Sequence, residues 1–419
     1  MILFITRIPP NANGHGGSQR AMHILKSLAK LDTVDLLLIH RTQDLDSVQD
    51  DLRQVEGVAR TCHKVQLNSW EDPQTRWPFL TWRTGRIASL VAPYSIDAPR
   101  VATSELRRVA ARLPVHDYDV VFAGRVTCAV VVDKMLAKGM LTARRKVLDL
   151  DDVMSRFKER ELEVNGPTMG RLLRFLNRTD VKRLQEAERR ALGEWDAVSV
   201  CTDEDVAALK VVDPEANLVR MSNVTDKAAL SKTNSPSVRL LFVGSLRFQP
   251  NVHGLRLFLQ EAWPLVRERV SDVTLDIVGM SPSLELRAEI EAAGARLHAD
   301  VPSVEPFYRD TDIVIAPIDF GSGTRIKIVE AMAYGRAMVA STIGAEGLHI
   351  EPGVHALIAD EMPDFADAVV RLARDPALRN SLATQPGELQ QRFFSPQTIE
   401  DNIAAMVAPD RAADLDIAA

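Results

Sequence analysis

The chain has 419 residues, 46% of them apolar and 26% charged, with a formal net charge of −6. That length exceeds what one ordinary hydrophobic core organises and points to two domains, and the acidic balance argues against a general nucleic-acid binder, which would be basic. Three cysteines, Cys62, Cys128 and Cys201, lack a CxxC spacing, which argues against a zinc site or disulfide framework and fits a reducing cytoplasm.

The opening "MILFITRIPP" lacks a basic n-region and a cleavage site, so it reads as a first β-strand rather than a signal peptide. No apolar run approaches the roughly 18 residues of a membrane-spanning helix, so any membrane contact is peripheral. "GSQRAMHILKSLAKL" then carries Ala21, Ile24, Leu25 and Leu28 at helical spacing. Strands follow at "VDLLLIH", "YDVVFAG", "RKVLDLDD" and "WDAVSVCT", with a strongly charged helix over 180–193 before the last of them. Polar "KAALSKTNSPSVR" reads as an interdomain linker. The alternation restarts with "LLFVGS", the long helix "NVHGLRLFLQEAWPLVRER", "VTLDIVG", "LELRAEIEAAG", "ARLHAD", "VEPFYRDT", "DIVIAPI" and "AMVAST", and two further helical segments follow from about 362. Such alternation predicts α/β domains built on mostly parallel sheets.

The strand "DIVIAPI" delivers the chain to "DFGSGTRIKIVEAMAYG", residues 319–335. Ligands of such sheets bind beyond the carboxyl ends of the strands. Gly321 and Gly323 let backbone amides approach a ligand, the following helix start suits phosphate, and Arg325 and Lys327 add cationic donors. Glu330 shares a helical face with Lys327 and can accept paired hydrogen bonds from a vicinal diol such as ribose. A capped helix with a surface Lys–Glu pair is the bland alternative. No GxxxxGK[ST] occurs here, and Ile326 stands where a dinucleotide fingerprint needs its third glycine.

"GSGTRIKIVEAMAYGRAMVASTIGAEGL" resembles the nucleotide-sugar-binding segment of retaining glycosyltransferase family 4, which has the GT-B fold of two Rossmann-like domains facing across a cleft. The resemblance runs upstream through "LLFVGSLRFQPNVHGL", "LDIVGM" and "YRDTDIVIAPI", and more weakly into the first half through "GHGGSQRAMHILKSLA", "EWDAVSVCTDEDVAAL" and "VRMSNVTD". It implies an acceptor-binding domain over 1–230, a nucleotide-sugar-binding domain over 238–392 and a helical tail over 393–419, for which a return to the first domain is an open alternative. By the same resemblance Glu330 matches the second acid of the Glu-x7-Glu motif, and Ser322 stands where the first acid falls; a branch with G-x-G-T-R-x-K shows the same loss. Gly321, Ser322, Gly323, Thr324, Gly244 and Arg247 complete the implied donor site. The family's "GRLxxxKG" basic pair is missing, Ser245 and Pro250 standing in its place, so Arg325 and Lys327 are expected to stabilise the leaving diphosphate.

In the first half, "NGHGGSQR" puts Gly16 and Gly17 at a helix start, a second anion seat that the resemblance turns toward diphosphate and acceptor. Asp149, Asp151 and Asp152 end a strand. Asp151 is the candidate to orient or deprotonate an acceptor hydroxyl, while Asp152 or Ser155 is expected to cap the next helix. No metal and no cofactor are expected, because GT-B transferases typically manage the diphosphate without a metal. The aromatic-basic stretch 70–94 and the basic amphipathic "MGRLLRFLNRTDVKRLQEAERRAL" are expected to pack on the domain, with contact to a lipid-linked acceptor or bilayer as the alternative.

The expected function is retaining sugar transfer from a nucleoside-diphosphate sugar to a saccharide or lipid-linked saccharide acceptor in polysaccharide or glycoconjugate assembly, in the cytoplasm or at the inner membrane face, without nucleic acid. A nucleotide-sugar epimerase of the same fold and a non-catalytic sugar-nucleotide-binding protein are the alternatives.

Overall fold

A computed structural model describes residues 1–12, 14–40, 52–66, 103–231, 237–321 and 323–408. The chain forms two compact units, one of Met1–Ser222 with the chain from Ile399 onward, the other of Asn223–Thr398. The aromatic-basic stretch 70–94 lies outside the described residues, as do Ser322 and residues 232–236 of the proposed linker.

The first unit holds strands β1 (Ile2–Thr6), β2 (Val34–His40), β3 (Thr61–Gln66), β4 (Asp117–Gly124), β5 (Thr142–Asp151), β6 (Ala197–Val200) and β7 (Leu218–Arg220) in one sheet of order β3-β2-β1-β4-β5-β6-β7. Every pairing is parallel. Burial of all seven residues of "VDLLLIH" is what a parallel strand covered on both faces requires. The buried Asp35 in that strand is held by Arg60, Thr61 and the Tyr118 hydroxyl, and with burial opposing them these bonds still keep its carboxyl below the ordinary range.

The helix after β5, Met154–Asn165, begins at Val153 with no side-chain cap from its own N-terminus. Ser155 gives its hydroxyl to Glu188 instead of capping the helix, and Glu188, from the long helix Arg171–Glu194, caps it from outside. Its carboxylate accepts from the Ser155 amide at 3.0 Å and hydroxyl at 2.5 Å. A local-sequence expectation fails here because the orphan amides find a tertiary partner 33 residues away.

The second unit holds β8 (Val238–Val243), β9 (Val273–Gly279), β10 (Arg296–Ala299), β11 (Ile313–Ala316), β12 (Ala337–Ala340) and β13 (Leu357–Ile358), all parallel, in the order β10-β9-β8-β11-β12-β13. The single helix expected after β8 is interrupted: α-helical Gln249–Leu257 passes through a π turn at Phe258–Ala262 into α-helical Trp263–Arg269. Pro264 explains the break, since it has no N–H to continue the ladder. Gly254 lets this helix lie against the strand end, because a Cβ there would sit 1.7 Å from the Pro317 carbonyl oxygen.

Among the described residues beyond 361 there are four helices rather than two: Met362–Arg374, Pro376–Thr384, Pro386–Phe393 and Pro396–Val407. Each has proline in its first turn, where the residue suits a helix start and cannot continue the one before. The last helix belongs to the first unit, where Met406 O accepts from Arg145 at 2.6 Å and Asn402 donates to Arg220 O at 3.0 Å.

Burial pushes the Glu188 carboxyl up to about 7, against the bonds from Ser155 and Met154. The native state then keeps a proton that the unfolded chain loses, so Glu188 makes stability fall as pH rises from the ordinary glutamate range to about 7. Urea unfolding should show this fall in the wild type and not in Glu188→Gln, and Glu188→Ala should lose about 1–2 kcal/mol as a lost cap. Equal pH dependence of wild type and Glu188→Gln would overturn the assignment.

Candidate functional site

Each sheet reverses its strand order at one place, and the crevice beyond the strand ends there is where an α/β sheet holds ligands. In the second unit the reversal lies between β8 and β11. Gly244 follows β8, and the 319–325 turn follows β11 by two residues.

Gly321 and Gly323 have φ of 124° and 77°, backbone that a side chain disfavours. Between them and the helix Ile326–Tyr334, the Thr324 hydroxyl accepts from the Asn223 amide at 3.1 Å. Arg325 is the N-cap residue, and its Nη1 donates to Gly323 O at 2.5 Å, which bends the guanidinium back over the turn.

Lys327 and Glu330 are both buried, 5% and 3% exposed, so the surface-pair alternative does not describe them. The Lys327 ammonium donates to Asn251 Oδ1 at 2.6 Å and lies 4.5 Å from the centre of the Phe242 ring. Gly244 leaves room for it: a Cβ there would stand 2.7 Å from Asn251 Nδ2 and 3.1 Å from Lys327 Nζ. Burial, reinforced by the nearby Arg325, lowers the Lys327 ammonium to about 7, while Glu330 opposes the shift.

Glu330 is oriented by the Tyr308 hydroxyl, 3.2 Å from its Oε2 and 3.1 Å from Lys327 O. The far end of the helix is clamped by the buried Arg336, which donates to Tyr308 O at 2.6 Å, Gly335 O at 2.9 Å, Leu230 O at 3.1 Å and Arg309 O at 3.2 Å. The turn, Arg325, Lys327 and Glu330 thus sit on one helix end held at both termini. Arg247 is exposed on the loop after Gly244. Asn251, Phe242 and Tyr308 carry the site without having been singled out in the sequence. A polar Asn in the first turn of the helix Gln249–Leu257 is the one local signal for Asn251.

In the first unit the reversal lies between β1 and β4. Gly16 and Gly17 open the helix Gly16–Leu31, which has no side-chain cap and no acid in its first turn. In the second turn of that helix, Arg20 is 3% exposed. It makes a two-point contact with Asp149, Nε to Oδ2 at 2.8 Å and Nη2 to Oδ1 at 2.6 Å, and donates to Met221 O at 2.8 Å. Asp151 accepts from Arg125 at 2.6 Å and from the Cys201 thiol at 3.2 Å. Arg125 and Asp151 both adopt positive φ, 71° and 60°, and the β5–β6 register shifts between Asp149 and Asp151. Burial opposes ionisation of Asp151, but the Arg125 and Arg20 guanidiniums hold its carboxyl below the ordinary range. Among the described residues no cluster of His, Cys, Asp or Glu is placed to hold a metal ion.

Residues 237–375 match a family model described as glycosyl transferases group 1. A phosphatidyl-myo-inositol mannosyltransferase from Mycobacterium leprae is 32% identical over 162 residues, which is 37% of this chain and 42% of that protein. The chain spans about two fifths of the length of the curated relatives it matches first. Among solved structures, sucrose-phosphate synthase from Thermosynechococcus elongatus superposes with a TM-score of 0.68 over 99% of this chain and 100% of its own, at 12% identity. Anabaena HepE in complex with UDP-glucose gives 0.63 over 98% and 100%, at 15% identity. The two Rossmann-like units are those of the GT-B fold.

The Lys327 environment has a measurable signature. Between about 7 and the ordinary lysine range the unfolded chain holds a proton that native Lys327 lacks, so stability should rise with pH across that window. The rise should be missing from Lys327→Met in urea unfolding followed from about pH 6 to about pH 10. An unchanged pH profile in the variant would show that the ammonium is not confined as described.

Proposed function

We propose that the chain is a glycosyltransferase that moves a sugar from a nucleoside-diphosphate sugar to an acceptor hydroxyl with retention of configuration. The observation that carries this reading is the group of Gly321, Gly323, Arg325, Lys327 and Glu330 at the strand-order reversal of the second unit. The match of residues 237–375 to glycosyl transferases group 1 supports it.

In this reading the turn amides and the first turn of the helix receive the diphosphate. Arg325 presents a fork to its oxygens, and Lys327 supplies a point charge from below. As the glycosidic bond lengthens, negative charge grows on the leaving phosphate, and donors already in place favour that state over the ground state. Glu330, steadied by Tyr308, receives the ribose diol. Thr324, Gly244, Arg247 and Ser322 complete the donor contacts; with no acid at 322, recognition of the sugar falls to other groups.

Gly16 and Gly17 offer amides at the helix start of the first unit, the second anion seat of this reading. Asp151, held anionic by two arginines, serves as the anchor of Arg125 rather than as a proton acceptor, because a base works best with a pKa near the working pH. With no evident nucleophile, a front-face route with return from the same side is the retaining path. The acceptor is a saccharide or a lipid-linked saccharide of polysaccharide or glycoconjugate assembly, met in the cytoplasm or at the inner membrane face. A mannosyltransferase among the relatives is in keeping with a hexosyl donor.

A thermal-shift screen of UDP-, GDP-, ADP- and TDP-sugars should single out one donor, whose stabilisation grows with its concentration over its Kd. Glu330→Gln should weaken that nucleotide by roughly tenfold to a hundredfold, as expected for loss of about 1.5–3 kcal/mol of charged hydrogen bonding. Arg325→Ala should lower kcat more than it raises KM. Wild-type nucleotide affinity in Glu330→Gln, Arg325→Ala and Lys327→Ala together would reject the site. Tight binding with no transfer or hydrolysis would leave a binding protein in its place.

A further inference from the structure

The large apolar side chains of both units are mostly buried, and Leu172 and Phe175 are among the few that are not, at 57% and 59% exposed. They stand one turn apart in the first turns of the helix Arg171–Glu194. Arg171, Phe175, Arg178 and Lys182 are all exposed and recur at i, i+4, i+7 and i+11, with Leu172 beside them, so cations and apolar groups share one helical stripe. The opposite side of the same helix is seated in the unit through the buried Leu176, Val181 and Leu184.

Charge on this segment runs against that of the whole protein. Residues 171–183 carry five cations and one acid in a chain of net charge −6, and the acid, Asp180, is 9% exposed with Arg183 3.9 Å away. Arg174 donates to Pro167 O and Met169 O, which fixes the chain entering the helix. Among the described residues Arg171, Arg178 and Lys182 are in no ion pair. On the neighbouring helix Met154–Asn165, Lys158 pairs with Glu161, and Glu159 accepts from Gln185, while Glu163 is exposed.

We propose that this stripe is a docking surface for an anionic phospholipid bilayer, with Leu172 and Phe175 entering the headgroup region and Arg171, Arg178 and Lys182 meeting lipid phosphates. Long cationic side chains reach outward to phosphates while their stems cover apolar neighbours. Two apolar side chains ringed by cations make a shallow contact that needs a negatively charged partner. A second copy of the chain would bring the same cations face to face and be repelled. The inference stands apart from sugar transfer, since it needs only the exposed face of one helix.

The test is co-sedimentation of the full chain with vesicles of phosphatidylcholine alone and of phosphatidylcholine mixed with phosphatidylglycerol, at low and high salt. Binding is expected only with phosphatidylglycerol, and it should fall as salt rises. The double variant Arg171→Glu/Arg178→Glu should bind at least tenfold more weakly. Leu172→Ser/Phe175→Ser should weaken binding similarly while keeping the wild-type melting temperature, because both positions are exposed. Absence of wild-type binding, equal binding to the uncharged vesicles, or unaltered binding by both variants would overturn the proposal. So would light scattering that shows a dimer dispersed by either variant, which would assign the face to another copy of the chain.

Discussion

Burying one ammonium group, Lys327 Nζ, sets the conditions for everything at the reversal point of the second sheet. A charge of that kind costs far more to bury than a single neutral hydrogen bond returns. The surroundings answer in three ways: Asn251 accepts from it, the Phe242 ring lies beneath it, and Gly244 keeps a side chain out of its space. What they do not supply is a full counter-charge, since Arg325 is close and works the other way. The ammonium is therefore poised for an anion. Gly321 and Gly323 supply such an anion with amides, and the helix start supplies the same field, so three features have one ligand chemistry in common.

The same physics is repeated with a different outcome in the first unit. There the reversal of strand order also faces a helix that begins with glycines. Its cations, though, are already matched: the buried Arg20 is tied to Asp149, and the part-exposed Arg125 to Asp151. A matched quartet fixes positions and leaves little electrostatic demand for a ligand. This contrast puts the anion seat with unmet charge in the second unit and makes the first unit's arginines supports of the turn above them.

Alternation of strand and helix, and the turn that ends in Glu330, were legible because both depend on residues close in the chain. Period-two and period-3.6 patterns mark "DIVIAPI" and "IKIVEAMAY" directly, and glycine before a helix is a local sign. What was not legible depends on partners far away. Asn251 meets Lys327 across 76 positions, and Glu188 caps a helix that begins 34 residues before it. The tail was read as two helices because its apolar spacing is continuous enough to hide the prolines that divide it. Burial at Lys327 and Glu330 was left open between two readings, because a lysine and an acid three apart resemble a solvated pair until the strands packed over them are known.

Proton uptake on binding is the most direct measure of the central claim. Calorimetric titration of the full chain with a nucleoside diphosphate at about pH 8, in buffers of different ionisation heat, counts protons taken up with the ligand. The expected result is net uptake by the wild type, as the diphosphate restores the charge on Lys327, and its loss in Lys327→Met. Binding without uptake, or the same uptake in Lys327→Met, would contradict the account.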